Sequence, residues 1–221
     1  GLLFASPPPV MERTLFFFAG ILLPACTWFF SSEGLLFSLS FMLFCAFAVL
    51  LFSGTQDAQG IHRLSLFGLS WLYIPFLLSH ALLLGQTKDG RVWIFFILLV
   101  IFACDAGAYY TGKRFGRRKL YERVSPKKTV EGALGGLLLG LVVATVFALL
   151  VLKGIPLWKV MVLSIILGAV SQMGDLMESM IKRISGKKDS SAILPGHGGI
   201  LDRLDSLVFT FPIACFFHLW I

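Results

Sequence analysis

The sequence predicts an all-α fold: a polytopic transmembrane helical bundle of about seven spans, with a polar site at the cytoplasmic membrane boundary. Three observations lead there. The chain is 57% hydrophobic and only 14% charged, with a mean hydropathy of +0.86, which is too apolar for a soluble domain of ordinary charge content. Its apolar residues fall into stretches of about 15 to 21, near the length a helix needs to cross a ~30 Å hydrocarbon core. Its ionisable residues gather at one face, mostly in the C-terminal half.

The chain opens on Gly1 and an apolar stub that runs into Ala5-Ser6-Pro7-Pro8-Pro9. Lacking a basic leader and a long apolar region, this stub reads as the interior of a longer protein rather than a signal peptide. Spans are expected over 15–30, 35–52, 64–84, 92–110, 133–152, 159–175 and 206–221. The first and last are short, which calls for bilayer thinning or shielding by neighbours. Pro24, Pro75 and Pro212 fall inside spans and predict kinks. Residues 1–90 thus read as N-terminal transmembrane helices, and 91–221 as the region that carries the chemistry, with loops 111–131 and 182–205. Cys26, Cys45, Cys104 and Cys215 all lie in apolar segments without C-x-x-C spacing, and read as small packing residues.

The net charge is +7. The 111–129 loop carries Lys113, Arg114, Arg117, Arg118, Lys119, Arg123, Lys127 and Lys128 against Glu122, and the second basic stretch carries Lys182, Arg183, Lys187, Lys188 and Arg203. One span out and one back lie between them, so both land on the same face, which the positive-inside rule makes cytoplasmic. Basic charge confined to loops between spans favours anionic lipid or a phosphate-bearing small molecule over nucleic acid.

Four constellations carry chemistry. Ser171, Gln172, Asp175, Glu178, Ser179 and Lys182 recur at spacings of three and four, a polar stripe on one helix leaving the membrane. Intramembrane carboxylates of this kind are costly and point to function. In the run from Pro195 to Ser206, glycines flank His197 and precede Asp202, Arg203, Asp205 and Ser206, three of which share one face of the next helix. Carboxylates offered by two helices at a membrane surface can grip a hard cation such as Mg²⁺, whose remaining positions take phosphate oxygens and water. The stretch Ser125-Pro126-Lys127-Lys128-Thr129-Val130-Glu131-Gly132 supplies two ammonium groups and a hydroxyl at a helix start, a setting for polyphosphate or a lipid anchor. Asp105, with small neighbours Ala106, Gly107 and Ala108, faces the same cavity as Asp175 or pairs with a nearby cation.

The run from Ser179 to Asp205, with Lys182-Arg183, Lys188-Asp189 and Pro195-Gly196-His197-Gly198-Gly199-Ile200-Leu201-Asp202-Arg203-Leu204-Asp205, resembles the signature of the phosphatidate cytidylyltransferase (CDP-diacylglycerol synthase) family. Asp105 to Tyr109 and Ser125 to Gly132 are similar to that family's other motifs, in its order and spacing. The resemblance implies transfer of CMP from CTP to phosphatidic acid, giving CDP-diacylglycerol and pyrophosphate for phospholipid biosynthesis. It implies Mg²⁺, alone or with a second cation, and a homodimer. On this reading Asp175, Asp202, Asp105 and Glu178 are the metal ligands. Asp175, Asp202, Asp205, Lys182, Arg183, His197 and Arg203 form the catalytic set. Ser125, Lys127, Lys128, Thr129, Ser179, Lys188, Gly198 and Gly199 bind phosphate. Two other classes compete. A transporter for an anionic substrate would distribute charge through the midplane, and a CTP-dependent lipid kinase would keep the site but attack a different phosphorus.

Overall fold

The structure, a computed structural model, describes residues 10–52, 58–186 and 201–220, and only the backbone of 10–13, 15, 58, 59 and 201–203. It divides into two compact units, Gly1–Lys88 and Asp89–Ile221.

In the first unit, α1 covers Val10–Phe52 and is broken at Ser31 (φ 53°, ψ −135°). A methyl group built on Gly34 would collide with the Cys26 carbonyl oxygen. Residues eight apart in a straight helix are separated by about 12 Å, so the chain doubles back at Ser31 and the two arms match the expected gap at 31–34. Gln86 holds the reversal together: its Nε2 donates to the Trp28 carbonyl at 2.8 Å, and its Oε1 accepts from the Ser31 hydroxyl at 2.8 Å. The first of these satisfies a backbone carbonyl that the end of the helix would otherwise leave without an intrahelical partner.

The next span is composite, with α2 (Ala58–Trp71), a π-turn (Leu72–Phe76) and α3 (Leu77–Gly85). Pro75 lies in the π-turn; without an N–H it cannot continue the i→i−4 ladder, and the wider turn absorbs the gap. Pro24, by contrast, lies within the first arm of α1, whose backbone leaves helical geometry at Ser31 and not at the proline. Phe16, Leu23, Leu35, Met42 and Ala46 from α1 pack with Phe67 and Trp71 of α2 as the core of this unit.

The second unit comprises α4 (Gly90–Phe115), β1 (Lys119–Tyr121), β2 (Ser125–Thr129), α5 (Val130–Leu150), α6 (Leu157–Ile184), α7 (Leu201–Val208) and α8 (Thr210–Trp220). α4 and α5 meet almost backbone to backbone along Gly107, Gly132, Gly136 and Gly140. A methyl on Gly136 would sit 2.6 Å from the Cys104 carbonyl oxygen, and one on Gly132 2.8 Å from that of Ala108. Phe96, Ile97, Val100 and Ile101 of α4 and Leu163 and Leu167 of α6 are buried, while Phe95, Phe102, Leu138, Val142 and Leu149 are exposed. Apolar exposure on this scale suits lipid rather than water.

Among the described residues, five helices are long and apolar enough to cross a membrane, α1 with its two arms counted as one; residues 204–220 form a shorter apolar helix. The seventh expected span is therefore below full crossing length, and it is broken at Phe209, which leaves Pro212 in the first turn of α8, where a missing N–H matters little. α4 runs past its expected end, with Lys113 and Arg114 in the last turn, and α6 continues beyond its apolar span along the polar stripe, with Lys182 and Arg183 in the last turn. Cations there oppose the negative end of the helix dipole. The 111–129 loop also differs from expectation, because it contains an antiparallel β1–β2 hairpin.

The glycine seam gives a direct test. Gly136→Val should lower stability by about 1–3 kcal/mol, read as a reduced thermal midpoint of the purified protein in detergent. An unchanged midpoint would mean that the helices are not in backbone contact there.

Candidate active site

The end of α4 presents Asp105, Tyr109, Gly112 and Lys113 at spacings of four, three and one, a single helical face. That face forms one wall of a cavity of about 510 Å³, a size typical of small-molecule sites. The β1–β2 hairpin supplies Leu120, Lys127 and Lys128, α5 supplies Gly132 and Ala133, and α6 supplies Gln172 and Asp175.

Local structure explains why these side chains converge. Thr129 ends β2 and caps α5, its Oγ1 accepting the Gly132 N–H at 3.2 Å. Lys119 pairs with Thr129 and Tyr121 with Ser125 across the hairpin, and Lys119 Nζ donates to the Pro126 carbonyl at 2.6 Å. Arg183 of α6 ties the tip down, its Nε donating to the Val124 carbonyl at 3.5 Å. The strand bearing both lysines is thereby fixed beside α6. Gln172 donates to the Ala133 carbonyl at 3.0 Å, joining α6 to α5.

The electrostatics follow from this placement. Lys128 Nζ lies 2.5 Å from Asp175 Oδ2, with both side chains partly exposed, and the Ser179 hydroxyl donates to Asp175 Oδ1 at 3.5 Å. Asp105 is within electrostatic range of Asp175 and Lys128 and has Ser206 as a hydrogen-bonding neighbour. Asp205, whose Oδ1 accepts the Ser206 N–H at 2.7 Å, faces Asp175, Asp105 and Lys182. Three carboxylates from α4, α6 and α7 therefore share one neighbourhood. α6 and α7 cross closely, since a methyl on Gly174 would be 2.6 Å from the Asp205 carbonyl oxygen.

Among the described residues, no group of three His, Cys, Asp or Glu side chains is drawn together tightly enough to hold a metal by itself. Oxygen donors from Asp105 and Asp175 on one cavity fit an ion such as Mg²⁺ that takes one or two carboxylates and completes its shell with water and phosphate. Glu178 differs from its expected place: it is buried at 1% exposure and ion-paired with Lys182 one turn on, and it does not line the cavity. The side chains of Asp202 and Arg203, and all of Lys188, His197, Gly198 and Gly199, lie outside the described residues.

Gln172, on the polar stripe, lines the cavity, as do Tyr109 and Lys113, to which no site role was assigned. The spacing of Asp105, Tyr109 and Lys113 was the available signal. Lys113 Nζ lies 5.9 Å from the Tyr109 ring centroid, within the range of a cation–π contact.

The Lys128–Asp175 pair should show a coupling of about 0.5–1 kcal/mol in a double-mutant cycle on unfolding free energy with Lys128→Met and Asp175→Asn. Strict additivity would separate the two groups.

The sequence pattern of the cytidylyltransferase family matches residues 4–220. The phosphatidate cytidylyltransferase of Bacillus subtilis is 38% identical over 200 residues, which are 88% of this chain and 73% of that protein. That of Staphylococcus saprophyticus is 47% identical over 131 residues, 59% of this chain and 50% of that protein. The Haemophilus influenzae protein of the same name is 41% identical over 136 residues, 60% and 47% of the respective chains. The chain thus spans about half the length of several curated relatives. A match along nearly its whole length means that the chain belongs to the cytidylyltransferase family.

Proposed function

We propose that this membrane protein transfers CMP from CTP to phosphatidic acid, giving CDP-diacylglycerol and pyrophosphate, in a Mg²⁺-dependent reaction on the cytoplasmic side of the inner membrane. One observation carries the reading: a cavity walled by two carboxylates and three lysines stands at the ends of otherwise apolar helices. One reactant is a water-soluble polyanion and the other a lipid, so their meeting place has to be a membrane boundary.

Both reactants are anionic and repel each other, so lowering that repulsion is the main task of the site. Lys113, on α4, and Lys127 and Lys128, on β2, border the same cavity and would hold the phosphates of CTP. Asp105 and Asp175, joined by Asp202 and Asp205 of α7, would hold Mg²⁺, which when bound supplies further neutralisation of phosphate charge. Its dependence on one ion or two is part of the same proposal. A phosphatidate oxygen attacks the α-phosphorus of CTP, the bond from that phosphorus to the bridging oxygen breaks, and pyrophosphate leaves with the electron pair. A phosphate monoester is already largely ionised near neutrality, so no side chain has to remove a proton. Positioning supplies most of the rate. The basic loops on one face support the cytoplasmic orientation, and the family resemblance supports a homodimer.

The test is to supply labelled CTP and phosphatidate to the purified protein in detergent, with Mg²⁺ and after chelation. The expected products are CDP-diacylglycerol and pyrophosphate, with turnover lost on chelation. Asp175→Asn and Asp105→Asn should each reduce turnover at least roughly 100-fold while the protein stays folded. Formation of CDP and a phosphorylated lipid would instead mean kinase chemistry, and near-normal turnover in both variants would remove the carboxylates from the reaction.

A further inference from the structure

Glu131 sits in the first turn of α5, next to Thr129 and Lys128, and is not among the residues that border the cavity. Its carboxylate accepts the backbone N–H groups of two successive residues. That of Arg117 reaches Oε2 at 3.0 Å, and that of Arg118 reaches Oε2 at 3.2 Å and Oε1 at 3.3 Å. The Arg118 carbonyl in turn accepts the Val130 N–H at 2.9 Å. These four bonds join the chain just after α4 to the chain just inside α5, at the base of the hairpin. A carboxylate is a stronger acceptor than a neutral oxygen, and its place in the first helical turn is further favoured by the dipole.

We propose that Glu131 is a positioning residue for nucleotide binding: it fixes the base of the β1–β2 hairpin, and through it the ammonium groups of Lys127 and Lys128 that line the cavity. The inference rests on the CMP-transfer reading of that cavity. The hairpin is held at its tip by Arg183 and at its base by Glu131, with Lys127 and Lys128 between the two ties. Loss of the basal tie lets β2 move relative to α4, and the lysines then meet the triphosphate in many arrangements instead of one. The effect falls on CTP capture rather than on bond breaking, because Glu131 does not touch the cavity.

The experiment compares the full-length protein with Glu131→Ala and Glu131→Gln in detergent, by hydrogen–deuterium exchange over 116–131 and by steady-state kinetics. Glu131→Ala should speed exchange at Arg117 and Arg118 and raise KM for CTP roughly tenfold, with kcat within about threefold. Glu131→Gln keeps one acceptor oxygen and should fall between the two, with a kcat–pH profile matching that of the unsubstituted protein. Unchanged exchange and KM in Glu131→Ala would overturn the proposal. So would a fall in kcat with KM unchanged and the acid limb of the pH profile lost, which would make Glu131 a direct participant. If the unsubstituted protein turns over no CTP, the functional reading fails, while the exchange data still judge the tie.

Discussion

The close approach of α4 and α5 is the constraint on which the rest of the second unit depends. Gly107, Gly132 and Gly136 remove the side chains that would hold the two helices apart. In lipid there is little hydrophobic gain from bringing helices together, so contact between backbones and the dispersion that goes with it has to supply association. With that seam set, the short chain between the helices has limited room, and the strand it contains is delivered to the mouth of a cavity bounded also by α6. Asp105 on α4, Lys128 on β2 and Asp175 on α6 become neighbours through a packing choice made by residues with no chemistry of their own.

Charge balance is the second organising feature. Asp105, Asp175 and Asp205 repel one another, and in a low-dielectric setting such a group needs compensation. Lys128 on Asp175 and Lys182 near Asp205 supply part of it. Glu178 is the exception that clarifies the arrangement. It lies on the helix that bears Asp175, yet it is buried against Lys182, so it reads as a partner that fixes a lysine rather than as a donor open to solvent.

Much of this was legible in the sequence. Long apolar stretches fixed the helices, and the intramembrane carboxylates and basic loops pointed to the chemistry, because burying charge is expensive enough that its presence carries information. The turn at 31–34 and the disruption at Pro75 were also readable. The hairpin was not: β1 and β2 are short and charged, and their pairing is decided by what α4, α5 and α6 leave between them rather than by strand propensity. The true end of α4 is hidden because terminal lysines and arginines look like loop, although they suit the last turn of a helix, whereas the polar stripe to Lys182 already carries α6 past its apolar span. The sequence motif around Lys127 contains Lys127, Lys128 and Thr129, which border the cavity, but hides that a strand, rather than the helix start alone, presents them. Glu131 was passed over for a related reason, since its partners are backbone groups that a sequence does not display.

The clasp at Ser31 has a consequence for the order in which the first unit is made. Trp28 and Ser31 find their partner in Gln86, more than fifty positions downstream. A chain emerging from the ribosome reaches the reversal long before that amide exists, and until then the carbonyl at Trp28 must stay with water or lipid headgroups. The first two arms can therefore enter the bilayer early, but their turn is sealed only when the third helix arrives. A residue at the far end of that helix thus acts as the latch on a turn synthesised well before it.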